Sequence, residues 1–380
     1  MDVDRIRCDF PALSEWTYLD TSFVGLYPVQ VRKGYEEFLD SWMSFKVEGT
    51  ETILTEWLEK AQKVRGVLAS FLGARPLEMA WTMCTGSGLN IVINGMKWKK
   101  GDNVVFPEWE HNPLDTETLR KSGVELRCIS IRGQRLDLAD LEKNVDDKTK
   151  LVQISQVFYV NGSRPDLKEV AEIVHEHGAK LLVDGTQAVG ALDTDVRKED
   201  IDFLSAAPYK FLMGPAGLAF LYVKQEHLRD LAPDRVGWKN QIWEGEHAEK
   251  PLELSETAEK FEYGTLHFEG IYGLEKSLEY INSLGMKNIE KRDMEFSQYL
   301  WDRLSDSGAK MYTPRGTRSP IVSFYAEGAA ELAARLMSQK VKVTGREAHG
   351  GHIRVSPHFY NTEDDIDRFI DRLLQAKKNT

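Results

Sequence analysis

Cysteine is scarce in this chain: Cys8, Cys84 and Cys128 are the three in 380 residues. They lie far apart, at spacings that suit neither a disulfide framework nor a metal cluster. The expectation is no structural disulfide, no metal, and a reducing, cytoplasmic setting. Long apolar runs are missing as well. No segment approaches the ~20 apolar residues of a spanning helix, so no membrane partner is expected. The stretch MDVDRIRCDFPALSEW is charged from Asp2 onward and has no signal-peptide core. Positive charge is in deficit, with 49 Lys and Arg against 60 Asp and Glu and a net charge of −11. Contacts to a phosphate backbone need a basic face, so a general nucleic-acid binder is excluded. A small anion held locally is not. Internal repeats and low-complexity linkers are absent too.

What is present is globular in character: 42% hydrophobic and 29% charged residues. The length suits a large α/β domain with a smaller companion. Apolar spacing predicts helices over Val29–Phe45 and Ile53–Leu72, the second stopped by Gly73. Short β-rich runs follow at Met79–Thr82, Asn103–Phe106, Val124–Ile129, Leu151–Val157, Lys180–Val183, Phe203–Ala206 and Leu218–Val223. Helical patterns lie between them. The clearest is Asp166–His177, with Leu167, Val170, Ala171 and Val174 on one face. Such alternation predicts a mostly parallel sheet covered on both sides. Beyond about residue 251 the texture changes to longer helices, Ile271–Leu284 and Asn288–Leu304. Short strands at Ile321–Phe324, Val341–Val343 and His352–Val355 and a closing helix over Thr362–Gln375 complete a smaller α+β unit.

The most informative stretch runs from Lys180 to Gly217. An apolar run ends abruptly at Asp184, followed by Gly185, Thr186 and Gln187. A second, Ile201–Leu204, leads to Lys210 among apolar neighbours and then to Gly214-Pro215. Taken singly, Asp-Gly after a strand reads equally as a turn, and such a lysine as one snorkelling to solvent. Together they suit pyridoxal phosphate (PLP). An acid keeps the pyridine nitrogen protonated, so that the ring accepts electrons. A lysine forms the Schiff base and moves protons.

This segment resembles the cofactor signature of class V aminotransferases, the family of cysteine desulfurases, selenocysteine lyases, isopenicillin N epimerase and, more distantly, kynureninase. The resemblance implies the PLP-dependent fold type I, of the aspartate-aminotransferase kind. It implies an N-terminal segment over 1–20 packing with a small domain over 256–380, and a large PLP-binding domain over 21–255. Asp184 matches the acid on the ring nitrogen, Gln187 the partner of the ring hydroxyl, and Lys210 the Schiff-base lysine. In AWTMCTGSGLNIVINGM a strand gives way to Thr85-Gly86-Ser87 and a helix-like run, which alone reads as an ordinary capped helix or as an anion site at a helix N-terminus. It is similar to the family's phosphate turn; Thr85 matches, while Gly86 and Ser87 depart. Glu110-His111-Asn112 resembles the motif whose histidine stacks on the ring. Gly264-Thr265 resembles the pair that reaches the neighbouring subunit's phosphate, which implies a homodimer. Ahead of the lysine, Ala207-Pro208-Tyr209 replaces the family's Ser-Gly-His, leaving Tyr209 as a single donor.

The run HIRVSPHFYNT resembles the family's carboxylate site, with Arg354 as the fork for an amino-acid carboxylate. The alternative is a surface arginine paired with Asp364 or Asp365. Desulfurases carry a nucleophilic cysteine on the loop before this arginine. Here that loop, Val341–His352, has none. It carries Arg346, a candidate for a second anionic group, and His349 and His352, candidate acids or bases. Cys84 reads as a small packed residue. The resemblance implies an enzyme acting on an amino acid or derivative through Lys210, Asp184 and His111. Its branch looks isopenicillin-N-epimerase-like, with epimerase and aminotransferase outcomes open. A Cβ–S or Cβ–X lyase is the runner-up, and a degenerate PLP-binding scaffold is the non-enzymatic alternative.

Overall fold

The computed structural model describes residues 1–45, 52–111, 114–240 and 253–378. Asn112, on which part of the resemblance rests, lies outside them. After a short β1 (Thr17–Tyr18), the chain builds β2 (Met79–Thr82), β3 (Asn103–Pro107), β4 (Glu125–Ile129), β5 (Thr149–Ser155), β6 (Lys180–Asp184), β7 (Phe203–Ala206) and β8 (Ala219–Val223). These last seven form one sheet in the order β2-β8-β7-β6-β5-β3-β4. β8 runs antiparallel to both neighbours, and the remaining pairs are parallel. The expected mostly parallel sheet is therefore present.

The sheet is covered on both faces because its strands are apolar at consecutive positions. In β6, Leu181 and Val183 enter one core with Ile154, Leu204 and Phe220, while Leu182 enters another with Leu151, Phe203 and Leu221. The helix Leu167–Glu176 is capped by the Asp166 side chain, which accepts from the Lys168 and Glu169 amides, and buries the apolar face expected of it.

The C-terminal part holds β9 (Val322–Tyr325), β10 (Val341–Lys342), β11 (Thr344–Arg346) and β12 (His352–Val355). An antiparallel sheet β11-β12-β9 packs under helices Met286–Asp306, Ala329–Ser338 and Glu363–Lys378. β10 pairs in parallel with β1, and Leu19 joins this C-terminal core. The helix Phe268–Leu284 instead sends Ile271, Leu274, Leu278 and Ile281 into the core beneath the large sheet.

One element differs from expectation. Val341–Val343 is not a single strand followed by a loop; β10 ends at Lys342, and β11 forms a hairpin with β12. Gly345 concealed it, since glycine weakens a strand pattern. Its backbone lies so close to the Ala329 carbonyl that a Cβ could not fit.

Candidate active site

Register builds the site. Ser155, Asp184 and Ser205 stand side by side at the carboxyl ends of β5, β6 and β7. Ligands of open α/β sheets bind at such ends. A cavity of about 180 Å³ opens there, lined by Ser22, Phe23, Val24, His111, Tyr159, Gln187, Tyr209, Lys210, Arg346 and Arg354. Six of the residues singled out from the sequence thus share one chamber.

Lys210 is 6% exposed. Burial first, and then the Arg354 charge, lowers its amine to about 7, against an opposing pull from Asp184. Asp184 is buried and accepts the Thr186 amide at 2.9 Å. His111 stands exposed at the cavity wall, its ring 4.8 Å from that of Tyr159. Burial and the Lys210 charge lower its pKa, which favours a neutral imidazole. Before it, Glu110 accepts both the Ser155 amide and hydroxyl at 2.7 Å, and burial raises its carboxyl to about 7.

Thr85 opens the helix Thr85–Gly95, where the helical pattern leaves the Thr85 and Gly86 amides without an intrahelical partner, while the Ser87 amide bonds the Cys84 carbonyl at 3.0 Å. The Thr85 and Thr186 hydroxyls are 2.7 Å apart. Ser205 ties the turn down by donating to the Thr85 carbonyl at 3.0 Å, and only a glycine at 88 lets the helix sit so close to Ser205. Gly86 and Ser87 follow, half-buried. Cys84, expected to be packed, is exposed instead. It is the N-cap residue of this helix, with its sulfur 3.2 Å from the Ser87 hydroxyl.

Strand alternation brings in the arginines. In the β11–β12 hairpin Thr344 faces Arg354 and Arg346 faces His352, so all four share one face of the sheet. Arg354 is 1% exposed and donates from Nη1 to the Tyr159 carbonyl at 3.0 Å. Its Nε and Nη2, and the Nε of Arg346, are buried without a partner among the described residues. Asp365 pairs with Arg7 at 2.7 Å rather than with Arg354. Burial, reinforced by Arg346, lowers Arg354 to about 10.

A further expectation is revised. His352 is fully buried against Tyr312, and burial lowers its pKa to about 4, so it does not titrate near neutrality. Thr265 is exposed and lies in a separate groove of about 370 Å³ with Ser87, Trp81 and Tyr263, away from the Lys210 cavity. His349 is exposed beside Trp109.

Sequence reasoning missed two residues. Gly25 donates its amide to the Tyr209 carbonyl at 2.8 Å and lies against the Lys210 carbonyl so closely that no Cβ fits. Asp20 is fully buried, accepts from Thr344 and Lys342, and lends negative charge to Arg354. No motif marks either. Both belong to an N-terminal segment whose place is set by tertiary contact.

The residues fit PLP. The buried Gln187 Oε1 has no partner among the described residues, while its Nε2 holds the Ser22 carbonyl at 3.1 Å. An oxygen acceptor there suits a ring hydroxyl, and the helix N-terminus suits a phosphate. A sheet covered on both faces, with a buried lysine and acid at its strand ends, defines a PLP-dependent fold type I enzyme. The family model for aminotransferase class V matches residues 17–369, and the chain belongs to that family. A cysteine desulfurase of Escherichia coli O8 (strain IAI1) is 31% identical over 99% of this chain and 98% of its own length. A probable cysteine desulfurase of Methanothermobacter thermautotrophicus is 29% identical over 96% of each. The apo structure of a cysteine desulfurase from Thermococcus onnurineus NA1 has a TM-score of 0.90 at 26% identity, covering 99% of this chain and 98% of that one. The complex of the cystine C-S lyase C-DES with cysteine persulfide shares the fold, with a TM-score of 0.88 at 22% identity.

Proposed function

We propose that this PLP enzyme is a carbon–sulfur lyase for a cysteine-derived amino acid, with sulfur leaving as a free product rather than passing to a protein thiol. The observation that carries the reading is the arginine hairpin: it presents to the Lys210 cavity buried N–H groups that have no partner among the described residues, and it contains no cysteine. Arg354 takes the α-carboxylate by its free fork edge. Arg346 takes a second anionic group on the side chain. When bound, PLP withdraws electrons from the substrate α-carbon. Lys210, with its amine near 7, attaches the cofactor and is neutral often enough at physiological pH to remove the α-proton. Asp184 would hold the ring nitrogen, Gln187 the ring hydroxyl, and His111 would cover the ring. Thr85, Gly86 and Ser87 would hold the phosphate, with Tyr209 as a further donor.

Removal of the α-proton with loss of the β-thiolate gives, after hydrolysis, pyruvate, ammonia and the thiol. Purified enzyme should release pyruvate from S-substituted L-cysteines bearing an acidic substituent. α-Proton exchange or keto-acid formation without elimination overturns the lyase reading in favour of epimerisation or amino transfer. That second reading rests on Tyr209-Lys210 and the run IRVSPHFYNT.

We further infer a homodimer in which Thr265 reaches the partner's phosphate site. A division into 1–20, 21–255 and 256–380 and a cytoplasmic setting remain part of this reading. Three free, exposed thiols suit a reducing compartment. Among the described residues, no helix is long and apolar enough to cross a membrane.

A further inference from the structure

The loop that carries Lys210 is held by its carbonyls. Pro208 O accepts from the Gly214 amide at 2.8 Å, Tyr209 O from Gly25 at 2.8 Å and Lys210 O from Met213 at 3.0 Å. Leu212 O accepts from the Ser277 hydroxyl. The carbonyl of Phe211, directly after the lysine, meets Nε2 of His358 at 2.9 Å. The other ring nitrogen, Nδ1, is 2.8 Å from Asp293 Oδ2. His358, Asp293 and Phe211 are all fully buried, and the Phe211 ring stands edge-on to the imidazole at 5.4 Å.

A carbonyl oxygen can only accept, so Nε2 must carry a proton. The tautomer is thereby fixed, whichever way the Nδ1–Asp293 proton sits. Burial raises the Asp293 carboxyl, against an opposing pull from His358. His358 belongs to the run that also carries Arg354 in β12, and Asp293 to the helix Met286–Asp306. The C-terminal layer that presents the arginine therefore also grips the peptide beside the lysine. Among the described residues, none of the other donors to this loop comes from the β11–β12–β9 sheet or the helices packed on it; Ser277 belongs to the helix Phe268–Leu284 beneath the large sheet.

We propose that His358 is a positioning residue for Lys210: Asp293 orients its ring, Nε2–H fixes the Phe211 carbonyl, and the pair sets the lysine relative to Arg354. The inference rests on the reading of Lys210 as the cofactor lysine. It goes beyond the simpler role of filling a buried space beside Asp293.

Two amide substitutions separate the roles. A glutamine amide reaches where Nε2 stands and can still hold Phe211. An asparagine amide reaches where Nδ1 stands and can hold only Asp293. In cofactor-loaded protein, H358Q should keep the pH midpoint of the visible cofactor band near wild type. H358N should move it by about half a unit or more, a change in the environment of the attached lysine. H358N should also lower kcat about tenfold or more with little change in KM, since misplacement of a reacting group is costly while the carboxylate site stays paired in its sheet. Equal behaviour of the two variants, or retention by H358N and loss by H358Q, overturns the proposal. Should H358N not fold, D293A takes away the group that orients the ring and should shift the band in the same direction; an unmoved band in folded, loaded D293A overturns it. Borohydride fixation keeps the tests apart. Label on another lysine removes the Lys210 reading, whereas label on Lys210 with unmoved bands removes only the role of His358.

Discussion

Single residues carry the chemistry, and their legibility follows their surroundings. Asp184, Lys210 and Arg354 were readable because each ends or interrupts an apolar run, and a polar group at such a place needs a reason. Gly25 was not readable, since nothing local distinguishes a glycine that passes a carbonyl from one in a turn. Arg354→Ala should lower kcat/KM by roughly 2–5 kcal/mol, the range for truncating one partner of a desolvated charge pair. Arg354→Lys should fall between, because it keeps the charge and loses the fork. Steady-state kinetics with a carboxylate substrate checks this; wild-type behaviour of the alanine variant would place the carboxylate elsewhere. Asp184→Asn should cost about 1.5–3 kcal/mol, the worth of a hydrogen bond to a charged group. Near-normal turnover by that variant would contradict its pairing with the ring nitrogen.

Elements were legible where the apolar pattern was strong, as in the helix Leu167–Glu176 with its Asp166 cap. β11 was hidden by Gly345 and by polar side chains that face the cavity rather than a core. The ends of elements also hold charge networks that no pattern shows. His175, in the last turn of that helix, meets Asp202 Oδ2 at 2.7 Å and Asp200 at 3.1 Å. Asp202 also accepts the Leu181 amide at 2.7 Å and His227 at 2.6 Å. These bonds already satisfy Asp202, so the cluster reads as a clamp between helix and sheet. The hydrogen bond to Asp202 raises the His175 pKa above its ordinary value. A raised histidine contributes stability that is fully present below the unfolded value of about 6.5 and is lost as pH rises through the folded value. His175→Gln should therefore cost about 1–2 kcal/mol at pH near 6 and clearly less at alkaline pH. Melting curves at the two pH values check it; equal deficits at both would mean the histidine acts by packing alone.

At the scale of the whole molecule the sequence pattern says least, because association depends on surfaces that tertiary folding assembles. Thr265 shows how. The family resemblance assigned it to a neighbour's cofactor, and the fold keeps it out of its own Lys210 cavity. The groove that exposes Thr265 is lined by Ser87 from the phosphate turn, with Met83 64% exposed beside it. Trp238 and Val236 are also exposed. A two-fold axis through such a surface would carry each Thr265 to the other chain's Ser87, since an isologous contact exchanges the same two patches. Light scattering should then give twice the 43.3 kDa chain mass. Thr265→Ala should leave that mass unchanged and weaken retention of the cofactor on dialysis. Met83→Lys places a charge in the contact and should favour the monomer, with cofactor lost in step with the dimer. A monomer that keeps its cofactor and full activity at high dilution would show that each chain completes its own site, and Thr265 would then have no part in it.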